Sequence, residues 1–300
     1  MNTVKAPSLL DPASCGEDLV HNAQRFSVLA PDHCVGCADY HIRSAVHRCA
    51  GPPKSIFDRP QLIQLVRKII EEASLRSDRV IEIVIPGSAD TAVLATCAHA
   101  AATLGDSILA RCRFTVLDRC ETPLLVCAEF AETHGLHFEA RHCDLLSASN
   151  PCDADLIVTH SFFRFIDHAD QVPLLKRLGS WLAPQGRLVF SNRLLLDDDA
   201  AEARDEIRKR TAANRAAEEA LSMGLLQLAE PAEAVLGRLE RSIADGAGRP
   251  GEFRTLAEVE ALIRQSGLAE ISLESLIWEF AIAPGDLMRR KRVLAVLAPR

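Results

Sequence analysis

Three hundred residues, 48% of them hydrophobic and 25% charged, suffice to bury one large core and exclude disordered, collagen-like and disulfide-stapled small scaffolds. The net charge of -7 argues against a nucleic-acid partner, because no basic cluster exceeds Arg289-Arg-Lys-Arg292, which reads as the solvated flank of a strand. No apolar run approaches the roughly twenty residues of a membrane span and the first residues lack the order of a signal peptide, so we expect a cytoplasmic chain with no membrane partner and mostly reduced cysteines.

The lead-in of about thirty residues, with Pro7, Pro12 and Gly16 and closed by Pro31, shows little periodicity and is expected to be loosely held. His33 to Cys49 is helix-compatible up to the stop at Gly51-Pro-Pro53. Cys34, Cys37 and His41 have metal-like spacing at i, i+3 and i+7. In a continuous helix, however, Cys49 stands about 18 Å from Cys37 at 1.5 Å per residue, too far to complete a zinc site, and no metal is expected. Tyr40, the one tyrosine of the chain, and His41 read either as part of a lid helix over a ligand or as packed core. Asp58-Arg-Pro60 opens a further helix with an apolar stripe from Leu62 to Ile70.

Val80 to Pro86 is an almost unbroken β-branched strand that stops at Gly87, and Asp90-Thr91 caps the alanine-rich helix after it. Arg113 to Asp118 is a second strand ending on a carboxylate about thirty positions after the glycine, where nucleotide-binding α/β folds hold a ribose. A helix from about Thr122 to His134 stops at Gly135, and strands follow at His137 to Ala140, Ala154 to His160 and Arg187 to Ser191, with a helix from about Ala169 to Leu182 before the last. This alternation predicts a doubly wound, mostly parallel sheet. Residues 197 to 245 read as a helical insertion, Asp245 to Gly251 as a linker, Thr255 to Gly267 as a capped helix, and Glu270 to Trp278 and Arg292 to Ala298 as two closing strands.

From about residue 78 to 300 the chain resembles the class I S-adenosylmethionine-dependent methyltransferases. The resemblance rests on Asp118-Arg-Cys-Glu-Thr-Pro123, Cys143-Asp-Leu145, Asp155-Leu-Ile-Val-Thr-His-Ser-Phe162, Leu182-Ala-Pro-Gln-Gly-Arg-Leu-Val189 and the helix text Thr255 to Leu268. It implies a seven-stranded Rossmann-like fold with N-terminal helices in 1–77, a donor-binding core in 78–196, a helical cap insertion in 197–250 and the end of the core in 251–300. It also implies S-adenosyl-L-methionine as cofactor, with Asp118 on the ribose and Asp144 at the adenine edge, in a site formed by Gly87, Ser88, Asp90, Asp118, Arg119, Asp144, Leu145, Thr159, His160 and Phe162. The first motif departs from the family in carrying a single glycine, Gly87.

Methyl transfer from a sulfonium needs alignment in a water-poor pocket, and a base only for a protonated acceptor. His41, His160 and Tyr40 are the candidate catalytic side chains, because imidazole titrates near neutrality and Tyr40 neighbours His41. Helical pieces on both sides of the core suit a small-molecule acceptor, and a homodimer stays open. A non-catalytic S-adenosylmethionine-binding module and a dinucleotide-using α/β enzyme are the alternatives.

Overall fold

The computed structural model describes residues 7–34, 40–50, 56, 58–196, 215, 218, 219, 222, 224, 251–283 and 286–300. Strands β1 (Ile81–Pro86), β2 (Cys112–Asp118), β3 (His137–His142), β4 (Ala154–His160), β5 (Leu182–Leu194), β6 (Ala269–Ala283) and β7 (Asp286–Ala298) form one sheet in the order β3-β2-β1-β4-β5-β7-β6. The first five are parallel, while β7 runs antiparallel to both β5 and β6. All six residues of β1 are buried, as a β-branched run must be when helices cover both faces of a central strand.

The helices are α1 (Leu19–His33), α2 (Tyr40–Ala50), α3 (Arg59–Arg76), α4 (Ala92–Ala102), the short α5 (Asp106–Leu109), α6 (Glu121–Thr133), α7 (His168–Ser180) and α8 (Leu256–Ser266). Side chains alternate across the sheet and so feed two cores. Ile81, Ile83 and Ile85 meet α3, α4 and α6 on one face, whereas Val84, Ile157 and Phe190 meet α7 and α8 on the other. Every residue of α4 is buried, which explains its alanine-rich text: only small side chains let a helix lie this close to its neighbours. The doubly wound, mostly parallel seven-stranded sheet is therefore the observed architecture.

Several local expectations change. The lead-in is not loosely held: α1 starts at Leu19, and Cys15, Glu17 and Phe26 are essentially inaccessible. Its anchor is electrostatic, an effect that periodicity does not show. The carboxylate of Glu17 accepts from Arg48 Nη1 and Nη2 at 3.0 and 2.6 Å, from Arg59 Nη2 at 2.5 Å and from Thr91 Oγ1 at 2.5 Å. Of the helix expected from His33 to Cys49, His33 ends α1 and Tyr40 to Cys49 lie in α2, and the chain turns to extended backbone at Cys34 (φ -86°, ψ 107°), so Cys34 and His41 do not share one continuous helix. Strand β5 begins at Leu182 rather than Arg187; Ala154 pairs with Leu182 across a register shift, and a Cβ on Gly186 would stand 2.4 Å from the Ala154 carbonyl. The β6–β7 hairpin also runs well past the expected strand ends, to Ala283 and Asp286. The expected helical insertion lies almost wholly outside the described residues.

Burial alone would raise the Glu17 carboxyl, but the charges of Arg48 and Arg59 and the hydrogen bonds from Arg48 and Thr91 outweigh it and hold the group at about 2, below its ordinary 4.5. A depressed carboxyl stabilises the fold above its unfolded value, and that contribution disappears as pH falls from 4.5 towards 2. Replacing Glu17 by Ala takes from Arg59 its carboxylate partner and leaves Arg48 with Asp90 alone, and should cost about 3 to 5 kcal/mol in urea unfolding at neutral pH. An unchanged midpoint would show that the cluster does not hold the N-terminal segment.

Candidate active site at the carboxyl ends of the parallel strands

Strand order reverses between β1 and β4, and in open α/β sheets the crevice outside the carboxyl ends of such a pair is where ligands bind. Gly87 follows β1 with φ +73°, a conformation only glycine adopts without strain. A Cβ here would lie 2.1 Å from Cδ2 of Phe162, so the aromatic ring after β4 rests directly on the glycine. Ser161, between His160 and Phe162, is itself left-handed at φ +56°, a strained state for a non-glycine residue and one that clusters at functional sites. It is held there by its N–H to the Ser191 carbonyl at 2.8 Å and by Arg292 Nη2, which donates to its Oγ at 2.8 Å.

Asp118 closes β2 beside Gly87. Its Oδ2 accepts the Ser88 N–H at 2.9 Å and its Oδ1 the Cys120 N–H at 2.7 Å, so the carboxylate ties together the loops after β1 and β2. Burial raises its pKa, opposed by those two N–H groups and by His41. A carboxylate oxygen carries more than one lone pair, so each still offers an acceptor position for a ligand hydroxyl. Leu145 is buried against the Leu117 side of the sheet, and Asp144 is exposed beyond β3, where its Oδ1 accepts the Leu146 N–H at 2.9 Å. Arg119 is exposed, and its carbonyl accepts from His142.

Two of the expected site residues are otherwise engaged, and a third is buried. Asp90 is buried, its Oδ2 3.0 Å from Arg48 Nη1 and its Oδ1 accepting the Ala92 N–H, so it belongs to the cluster around Glu17. Ser88 gives its hydroxyl to the Asp90 carbonyl, which leaves it shaping the loop. Thr159 is 1% exposed and faces the core beneath the strand end. His160 does reach the crevice rim, with 11% of its side chain exposed.

His160 is part of a buried network that sequence reasoning did not contain. Its Nε2 donates to Asp58 Oδ1 at 2.8 Å, which fixes the tautomer and leaves the lone pair on Nδ1. The other Asp58 oxygen accepts from Ser191 Oγ and, at 3.1 Å, from Arg292 Nε. Burial would raise the Asp58 carboxyl, yet Arg292 and His160 hold it far below the usual range. Burial lowers His160, with Arg292 adding to the effect and Asp58 opposing it. The sequence marks Asp58 only as part of a helix opening, and Arg292 only as the end of a solvated basic run and the first residue of the closing strand. The missed signal was an arginine abutting the apolar strand text Val293-Leu-Ala-Val-Leu297, which demands a buried counter-charge.

Tyr40 and His41 begin α2 above these loops. The Tyr40 ring meets Phe165 edge-on at 5.3 Å, and His41 stacks on Phe26 while its Nδ1 lies 2.9 Å from the Ala89 carbonyl. Thus α2 spans the loop after β1 and the turn after β4, as a lid helix would.

No family model and no curated protein matches the sequence. Among solved structures, a Bacillus halodurans C-125 protein designated a methyltransferase aligns with TM-score 0.50 at 10% identity over 78% of this chain and 99% of its own. TehB from Haemophilus influenzae aligns at 0.47 with 12% identity over 78% of this chain and 62% of that one. The N-methyltransferase NodS from Bradyrhizobium japonicum WM9 aligns at 0.45 with 16% identity, over 81% and 100%. With the strand order above, the alignment at TM-score 0.50 gives the chain the fold of the class I S-adenosylmethionine-dependent methyltransferases.

Because the folded His160 sits below its ordinary 6.5, the unfolded chain takes up this proton first, and stability falls as pH drops below that value. His160→Asn should flatten that part of the profile, measured as urea midpoints between about pH 7.5 and 5. An identical slope in the variant would mean that another group carries it. Gly87→Ala should cost about 1 to 3 kcal/mol from backbone strain and from the clash with Phe162. Adding Phe162→Ala should return only the steric part, read in the same unfolding experiment.

Proposed function

We propose that this chain binds S-adenosyl-L-methionine at Gly87 and Asp118 and transfers its methyl group to a small molecule held beneath α2. The observation that carries this reading is the pairing, at the strand-order reversal, of a positive-φ glycine with a strand-end carboxylate. The residues fit the adenosine half of the donor. Asp118 is an acceptor-only group with lone pairs to spare for ribose hydroxyls, Leu145 walls the space next to it, and Asp144 lies one strand further along. Bound there, the donor supplies an electrophilic methyl carbon on a sulfonium. A single-glycine loop lacks the tight turn and repeated close approach that pyrophosphate needs, which disfavours a dinucleotide.

The protein's own work is then positional. Asp58 orients His160 so that Nδ1 is the basic atom, and burial keeps the ring neutral at physiological pH, the state in which it can take a proton from an acceptor hydroxyl, amine or thiol. Arg292 neutralises Asp58, so the carboxylate can support a proton on the ring without burying net negative charge. Tyr40 and Phe165 exclude water from above. His41, whose Nδ1 is engaged by Ala89, is less suited to that task than His160.

Calorimetry with S-adenosylhomocysteine should show binding to the wild type and about ten- to hundredfold weaker binding to Asp118→Asn, the range for a hydrogen bond to a charged group. No binding by the wild type would remove the reading. Turnover on a panel of hydroxyl, amine and thiol acceptors separates an enzyme from a binding module, the second reading. In an enzyme, His160→Asn should lower kcat and remove the acid limb of its pH profile while leaving donor affinity within about twofold.

A further inference from the structure

The loops that carry Gly87 and Asp118 touch a second group of side chains that methyl transfer does not use. Cys34 ends α1, His41 is the second residue of α2 and Cys120 precedes α6, so three separate elements each bring one soft or borderline donor to the same place. The two sulfurs are 3.4 Å apart, and the ligand atoms of all three residues lie within 4.8 Å of one another. Around a tetrahedral zinc with bonds of about 2.3 Å to sulfur and 2.0 Å to nitrogen, sulfurs stand about 3.8 Å apart and sulfur and nitrogen about 3.5 Å. The two sulfurs need part by only a few tenths of an ångström, and the imidazole, within 4.8 Å of both, need approach by about an ångström at most to take the ion.

The surroundings suit a metal as well as the donors do. A hydrogen on His41 Nδ1 is directed to the Ala89 carbonyl at 2.9 Å, which fixes the tautomer and leaves the lone pair on Nε2, the arrangement that ligating histidines ordinarily need. His41 is also hydrogen-bonded to Cys120, so the ring already points at the thiols. Thr122 Oγ1 lies 3.0 Å from the Cys34 sulfur, and His33 pairs with Glu121 at 2.7 Å, closing the same seam between α1 and α6. His41 and Cys120 are buried and Cys34 is partly so, which shields the site from competing solvent.

We propose that Cys34, His41 and Cys120 form a zinc-binding site that pins α1 and α2 to the turn after β2. Binding converts two thiols to thiolates, their two protons leave to solvent, and the neutral imidazole completes three of the four positions of a tetrahedral ion. Cys37, which the sequence places between Cys34 and His41, lies outside the described residues. The role is structural: one ion would clamp the start of the lid helix to the loops of Ala89 and Asp118, independently of any donor. Such a site also reassigns His41 from catalytic base to ligand, and it replaces the expectation of no metal, which searched for the missing ligand at Cys49 and not across the fold at Cys120.

The test uses the full-length, tag-free protein, purified under reductant without chelator and with no donor added. Elemental analysis should find about one zinc per chain. Cobalt(II) exchanged into the wild type should give a near-ultraviolet thiolate-to-metal charge-transfer band and the visible bands of a tetrahedral ion. Cys34→Ser, His41→Ala and Cys120→Ser should each lower zinc content to about a tenth or less, while Cys152→Ser keeps it. If the ligand variants fail to fold, the cobalt spectrum of the wild type still decides the matter. Its lacking the charge-transfer band would overturn the site, as would zinc retained in both serine variants, or alkylation mapping that finds Cys34 and Cys120 joined as a disulfide in metal-free protein. Because every readout omits S-adenosylmethionine, failure here and failure of the methyltransferase reading are separate results.

Discussion

The structure depends on two charged residues standing side by side. Asp58 and Arg59 are consecutive at the start of α3, yet they serve different buried networks. Arg59 joins Arg48 on the carboxylate of Glu17, while Asp58 receives His160, Ser191 and Arg292. Each network is balanced in charge: two carboxylates, Glu17 and Asp90, face Arg48 and Arg59 on one side, and Asp58 faces Arg292 on the other. Balance is what makes their burial tolerable, since an unpaired ion in such surroundings costs several kcal/mol. Through the start of α3, the N-terminal segment and the loop after β1 are tied to the ends of β4 and β5 and to the middle of β7.

These ties explain how strain is kept at the crevice. Ser161 holds a left-handed backbone only because Arg292 and the Ser191 carbonyl fix it from two directions, and Arg292 is in turn fixed by Asp58. The turn after β4 therefore presents His160 on one side and Phe162 on the other in a set geometry. Preorganisation of this kind is what an in-line displacement needs, because alignment, more than covalent assistance, lowers its barrier.

Wherever hydrophobic periodicity dictated structure, the sequence was informative. The bounds of β4 stand as read, and β1, β2 and α6 agree to within a residue, because buried strands and amphipathic helices leave strong patterns. What could not be read were effects of long-range charge. Glu17 sits in a proline-rich lead-in with no periodicity, and only a fold that delivers Arg48, Arg59 and Thr91 to it makes that segment ordered. The same holds for Arg292 in its basic run and for Cys120, which lies 86 residues from Cys34. The turn at Gly87 and the strand end at Asp118 were legible, because backbone freedom at a turn and the end of a buried apolar run are local requirements. Asp90 was not, since its commitment to Arg48 depends on α2.

The start of α3 also leaves a mark on any lineage of this chain. Residues lining an acceptor pocket can be exchanged one at a time as substrates change, and apolar core positions can drift among side chains of similar volume. The Asp58-Arg59 pair has no such freedom, because exchanging the two, or spacing them by one residue, would turn each toward the partners of the other and set like charge against like in both networks. An Asp-Arg-Pro text about twenty residues before the first buried strand, joined to an arginine directly before the last strand's apolar run, is therefore a signature by which distant kin of this chain can be sought when overall identity has faded.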